Sequence, residues 1–348
     1  GTPTTWTTSD GWLSIGDGSV TVSDGASLQA DGVYVQGAAN GEGMMTVTGS
    51  GSSMDAHLCL YVGGDTHDSG GDGSLTISDG ATASASVITA GVDSGVTGSI
   101  TVTGAGSSLT TVDNGAGFFG NVYAGYAGEG NITVADGAAL TANGQLRLGW
   151  DSGATGAVTV ESGGTLSTGA GSADYAASYG NGYGAIIGGA AGATGAVTVT
   201  GTGSSWTDHG SAVVIGSSGD GALNVLDGAS VSAQSLAIAY DTGGAGAVTV
   251  SGAGSSLTTT GGVTIGVRIE GHSPESTGSL LVENGATFET LGGYEAGDPN
   301  PGGGGMYITS GGTVTVTGAG SALNIGMAHS GTPTTWTTSD GWLSIGDG

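Results

Sequence analysis

The sequence predicts an all-β chain wound into a parallel β-solenoid of roughly triangular coils. Three observations lead there: a short internal repeat averaging 30 residues, strand-type alternation inside each repeat, and corners built from Gly beside Asp or Asn.

Two related patterns carry the repeat. Type A, G-x-V-T-V-x-(D/S/N)-G-(A/G)-x-(L/V/F), reads GSVTVSDGASL from Gly18 and recurs with variation from Gly73, Gly130, Gly156, Gly221 and Gly278. Type B, one residue longer at its corner, reads GMMTVTGSGSSM from Gly43 and recurs from Gly98, Gly195, Gly246 and Gly312. Most units close on an apolar-x-apolar-Gly step, as in VYVQG after Gly32, LYVG ending at Gly63 and LRLG ending at Gly149. GMYITSGGTV from Gly305 also fits type A, so a period holds eleven or twelve units.

Within a unit the apolar residues keep a period of two. In the first, Val20, Val22, Ala26, Leu28, Val33 and Val35 share one face while Thr21, Ser27 and Tyr34 take the other. Alternation over such short runs means strands, three per unit, and helical periodicity is absent. Asp24-Gly25, Asp79-Gly80 and Asn284-Gly285 mark sharp corners, where Gly, Asn and Asp tolerate positive φ. Strands too short to bury a face alone are satisfied by winding each unit into a coil and stacking the coils. A sandwich or propeller is the second choice, and its strands would pair antiparallel. Small residues at one corner, Ala26, Ala81, Ala138, Ala229 and Ala286, suit a narrow triangular section.

A larger period surrounds the small one. Residues 1–18, GTPTTWTTSDGWLSIGDG, are identical to residues 331–348, an offset of 330. The reading is one continuous solenoid over 1–348, cut from a longer array of 330-residue periods. At about 4.8 Å per coil a period is roughly 50 Å long.

Composition excludes several functions. Among 348 residues, Arg147 and Arg268 are the only Lys or Arg, against 29 acidic residues, for a net charge of −27. Such a chain repels nucleic acid and anionic lipid. No stretch approaches the roughly 18 apolar residues that span a bilayer, so this segment is expected not to insert in a membrane. Cys59 alone makes no intrachain disulfide framework. A hydrophobic content of 37% nevertheless demands a core.

The alternation of GxVTVxDGAxL with GxVTVTGAGSSW, each followed by xVxIG, resembles the repeat of autotransporter passengers and of exported bacterial proteins with a PEP-CTERM sorting signal. The resemblance spans nearly the whole chain. It implies a right-handed parallel β-helix on an exported bacterial protein, extracellular or at the cell surface, with no catalytic residues to carry over. The 330-residue identity and the lack of a translocator or sorting segment depart from that pattern and leave the secretion route open.

Candidate sites follow from the loops. The segment GGDTHDSGGDG places Asp65, Asp68 and Asp72 within eight residues on Gly-rich backbone, hard oxygen ligands suited to calcium, the one cofactor indicated. Aromatic residues gather in two insertions, Phe118, Phe119, Tyr123 and Tyr126 in residues 113–128 and Tyr175, Tyr179 and Tyr183 in residues 169–184, as partner-contact positions. Glu161 and Glu283 are candidate paired carboxylates for glycan cleavage, although most acids sit in corners where turn formation explains them. The five histidines show no ligand spacing. A Thr stripe through Thr21, Thr46, Thr76, Thr101 and Thr133 reads as outward strand residues stacking on themselves.

The functional expectation is a structural repeat of a surface fibre, not an enzyme, whose partner is itself, end to end or laterally. An adhesin binding a glycan or protein through its aromatic loops is the second reading and a carbohydrate-active enzyme the third.

Overall fold

The computed structural model describes residues 4–8, 11–38, 41–65, 70–112, 120–170, 182–241, 243–266, 276–291, 305–309, 311–325 and 343–345. Every strand pairing among them is parallel, and each strand's partners lie in the coils before and after its own. The chain is therefore a parallel β-solenoid, and no antiparallel sandwich pairing occurs among the described residues.

Each coil presents three faces. Face one is an eleven-stranded ladder running from Ser19–Val22 to Gly312–Thr317, one strand for each G-x-V-T-V motif. Face two carries strands such as Ser108–Thr111 and Ala139–Ala142, and face three strands such as Val122–Ala124 and Leu146–Leu148. Met306–Ile308 pairs with Val263–Ile265 on face three, so GMYITSGGTV begins with a closing step and not with a twelfth face-one strand, and the described residues hold eleven face-one strands. The expected three strands per coil are not universal: in Ser27–Val35, Ser53–Val62 and Thr82–Ala90, faces two and three fuse into one strand. A shift of register at Ala30/Gly32 and at Ala56/Cys59 makes the bend there, as a bulge does.

The core follows from strict alternation. Ile132 and Val134 from face one, Leu140 from face two and Leu146 and Leu148 from face three are all essentially inaccessible, and their counterparts repeat up and down the stack. Trp206 and Phe288 are the largest fully buried side chains, both at the face-two position that Leu fills elsewhere. Where face three turns into face one, backbone crosses backbone. A Cβ on Gly98, second in the strand Thr97–Thr103, would strike the carbonyl of Val62, so only Gly fits there.

The two repeat types differ in the corner between faces one and two, and the difference is complementary. In type A coils Asp24, Asp79, Asp136, Asp227 and Asn284 take positive φ, 54–57°. Type B coils place a Ser beside that corner, and the corner Gly of the type A coil beneath donates its N–H to it: Gly25 to Ser52 at 3.1 Å, Gly80 to Ser107 at 2.9 Å, Gly228 to Ser255 at 2.9 Å, Gly285 to Ser321 at 3.0 Å. From the other side, the type B corner hydroxyl donates to the carboxylate of the next type A coil. Thr48 reaches Asp79 at 2.9 Å, Thr103 Asp136 at 2.8 Å and Thr200 Asp227 at 3.2 Å.

One step breaks the alternation. The Gly156 coil is type A stacked on the type A Gly130 coil, through the pairing of Glu129–Ala135 with Thr155–Val160. Its predecessor offers Ala135 where a hydroxyl would stand, and it carries Ser162, not Asp, at the positive-φ position. The carboxylate is missing where its donor is missing.

Ser107→Ala leaves the Gly80 N–H without its acceptor at a packed corner and is expected to lower stability by about 1–2 kcal/mol. Ser108→Ala, one residue on and facing outward, should change it by under about 0.5 kcal/mol. Thermal unfolding of the two variants beside the wild type measures both.

Candidate functional site

The acidic loop is only partly gathered. Asp68 lies outside the described residues, and Asp65 and Asp72 each engage a coil neighbour. The Asp65 N–H donates to Asp93 Oδ2 at 2.8 Å, Gln36 Nε2 approaches Asp65 Oδ2 at 3.4 Å, and Asp72 Oδ1 accepts the Thr97 N–H at 2.7 Å. Among the described residues no three acidic, His or Cys side chains come together as a metal site.

Of the aromatic positions, Phe118, Phe119, Tyr175 and Tyr179 lie outside the described residues. Tyr123 stands outward on face three, and the neighbouring coil places Arg147 directly beside it. The Arg147 guanidinium lies 4.2 Å from the Trp150 ring centre and 5.4 Å from that of Tyr123, donates to the Tyr123 hydroxyl at 2.9 Å and to Gln145 Oε1 at 2.8 Å. Tyr126 packs edge-on against Tyr123 at 5.3 Å and is 37% exposed. Tyr183 donates to the Tyr240 hydroxyl at 3.3 Å, joining two coils, and burial pushes the Tyr183 phenol up to about 12.

A second cluster on face three escaped the sequence reading. Tyr34 meets Tyr61 at 5.4 Å along one line of the ladder, and Trp12, whose ladder partner is Gly32, leans across to stack on Tyr34 at 5.1 Å and 18°. Cys59 sits beneath, buried, and burial pushes its thiol up to about 11 against the opposing effect of the Tyr34 and Tyr61 hydroxyls. Aligning the closing steps VYVQG, LYVG and LRLG puts Tyr34, Tyr61 and Arg147 in one slot, which was the available signal. Trp12 and Tyr34 cover one another's faces, so their contact is an axial stack and not a flat platform for a sugar ring.

Glu161 and Glu283 occupy the same corner four coils apart, roughly 19 Å by the coil rise, well beyond the roughly 5–9.5 Å that carboxylate pairs use on glycosides. On face one the Thr stripe is continuous except at Asn224 and Leu281. Beside it a shallow groove of about 700 Å³ runs over Ala157, Ala196, Ala222 and Ala247.

Among the described residues, the one buried acid with an unsatisfied oxygen is Asp208, which alternation from Trp206 turns inward on face two. The Trp206 indole N–H donates to Thr168 Oγ1 at 3.0 Å, and that hydroxyl donates to Asp208 Oδ1 at 2.6 Å. Asp208 is 5% exposed and its Oδ2 has no partner; burial raises its carboxyl to about 7, against the opposing hydrogen bonds of Thr168 and the Gly210 N–H.

Fold and corners together define a parallel β-solenoid of two alternating coil types. No family model matches the chain, and no curated protein matches it. Among solved structures, it is similar to the one described as the crystal structure of a TibC-catalyzed hyper-glycosylated TibA fragment, residues 55–350, with 18% identity over 94% of this chain and 96% of that one and a TM-score of 0.39. The fold assignment stands on the strand pairing of this chain itself.

Asp208 yields a pH dependence. Its carboxyl titrates near 7 when folded and near 3.8 when free, so the folded chain keeps a proton that the unfolded chain has lost between these values. Stability from this group is therefore fully present below about pH 4 and is lost as pH rises to about 7, a window worth roughly 4 kcal/mol. Asp208→Asn should flatten that part of the profile and exceed the wild type in melting temperature at pH 8 but not at pH 4, as thermal melts across that range would measure.

Proposed function

We infer that this chain is the structural period of an exported bacterial surface fibre whose work is mechanical: to extend, to stay hydrated and to keep its strand edges covered. The observation that carries this reading is the placement of the repeated segment. Trp12–Ile15 and Leu343–Ile345, which belong to the two identical stretches, lie on the same face-three ladder at opposite ends of the stack. A coil following the last one thus has the geometry of the coil that follows the first segment, and the solenoid extends by whole periods without a change of phase.

The chemistry fits that role. Each coil covers the hydrogen-bonding edge of the one before it, which removes the exposed strand that would otherwise seed aggregation. Leaving out Asp340 and Asp347, a period carries −25, one net charge per about 2 Å of axis, so rods repel one another until cations or acid screen them. The kinship of the repeats with those of autotransporter passengers and PEP-CTERM proteins supports a setting outside the cell. An adhesive role is the second reading, favoured by the exposed rings of Tyr126 and Tyr240 at the corner after face three.

Electron microscopy of the protein in calcium, then after chelation, tests this. Uniform fibres with an axial repeat of roughly 50 Å are expected, separating into thinner ones when divalent cations are removed. Short rods with free ends at every protein and calcium concentration would overturn the fibre reading.

A further inference from the structure

We propose that face one is a lateral interface, on which a second copy of this chain lies parallel and side by side, related by a two-fold axis along the rod. The pairing rests on the fibre reading and gives its rods a contact face.

A face-one strand turns four side chains outward, as Asp72, Ser74, Thr76 and Ser78 do. Stacked through the ladder, these positions form four rows, two central and two at the rims. In a chain of 29 acidic residues, neither central row carries a charge in any of the eleven strands. The other faces differ. Face two turns Asp55 and Glu289 outward, and Tyr34, Tyr61 and Arg147 stand up from face three. Thr suits a strand that faces water, which accounts for the Thr stripe in one central row. Ala does not: it is depleted in strands, yet Ala157, Ala196, Ala222 and Ala247 fill the other central row over four successive coils and floor the groove of about 700 Å³.

Ridge and furrow are complementary to themselves. A two-fold axis parallel to the rod and passing between the central rows exchanges them, so that Thr159, Thr198, Asn224 and Thr249 of one copy enter the Ala furrow of the other, and reciprocally, at the same step of about 4.8 Å. Leu281, the largest residue of the ridge, then faces Ser279. A two-fold axis along the strands sets ridge on ridge instead and leaves both furrows empty. The contact is large enough to hold. Eleven strands stack to roughly 50 Å, and strands of up to seven residues span roughly 23 Å, a footprint of about 1,100 Å² per copy where stable pairs bury about 800 Å². At the rims the same axis brings Asp72 near the partner's Asp79 and Asp220 near the partner's Asp227, so an uncharged centre is bordered by like charges. Pairing therefore strengthens as salt screens the rims.

Sedimentation of the 348-residue chain reads pairing whether or not fibres form. A dimer is expected at about 0.15 M salt, dissociating toward about 0.01 M as the screening length grows from about 8 to about 30 Å. Ala222→Glu sets a carboxylate from each copy into the uncharged contact and should raise the dimer dissociation constant about a hundredfold or more. Ser232→Glu, exposed on face two of the same coil, should leave it unchanged. A chain carrying Ala196→Cys, mixed with one carrying Thr198→Cys, should crosslink through a short bis-thiol reagent several-fold faster than either chain alone. A chain that stays monomeric throughout, a dimer indifferent to Ala222→Glu, or Ala196→Cys crosslinking fastest to itself overturns the pairing. Fibres whose rods stay single in the electron microscope overturn it as well and leave the fibre reading intact, whereas paired short rods that never lengthen uphold the pairing and overturn the fibre.

Discussion

Everything in this molecule depends on the parallel ladder between coils. A single coil has no sheet of its own: its strands are three to ten residues long, and each finds its hydrogen-bond partners one coil up or down. Such strands have no independent stability, so the unit of folding is the stack. The side chains obey the same constraint. Inward residues pack on their counterparts in adjacent coils, outward ones stack into Thr and aromatic lines, and the charge has nowhere to go but the surface. The protein is in effect one-dimensional, and its chemistry is the chemistry of one coil repeated along a ladder of eleven face-one strands among the described residues.

Within that frame the corner between faces one and two supplies specificity. Ladders of Val and Thr are nearly interchangeable and would tolerate any order of coils. The corner is not interchangeable: a positive-φ Asp needs a hydroxyl below it, and a corner Gly is best served by a Ser above it. Hydrogen bonds to charged groups are about twice as strong as neutral ones, and unsatisfied buried donors are costly. Order along the axis is thus encoded in a few side chains at one edge, while stability is spread over the whole core.

Much of this was legible in the sequence, because the information is periodic. The apolar alternation of Val20, Val22, Leu28, Val33 and Val35 named the inward residues, and the Asp-Gly pairs located the corners. What escaped needed comparison between repeats and not within one. Tyr34, Tyr61 and Arg147 share a slot visible only when closing steps are overlaid, and Thr48 meets Asp79 only once coil order is known. Asp208 was readable by counting two from Trp206, yet an acid at an inward position runs against expectation and was passed over. The fusion of faces two and three in the early coils arises from where the bulge falls, which no local motif announces.

The step at Ser162 has an arithmetic origin. A period contains six type A coils and five type B coils, and two alternating symbols cannot close on an odd number without one like pair. Every period must therefore contain a single fault, and here it is where Gly137 finds Gly163 and Gly164 above it in place of a Ser hydroxyl. Under tension along the axis that step, without the corner bond that each neighbouring step keeps, Thr103 to Asp136 below it and Gly163 to Ser204 above it, is the fuse: a long fibre would part at regular intervals of one period, each break leaving the same two faces ready to rejoin.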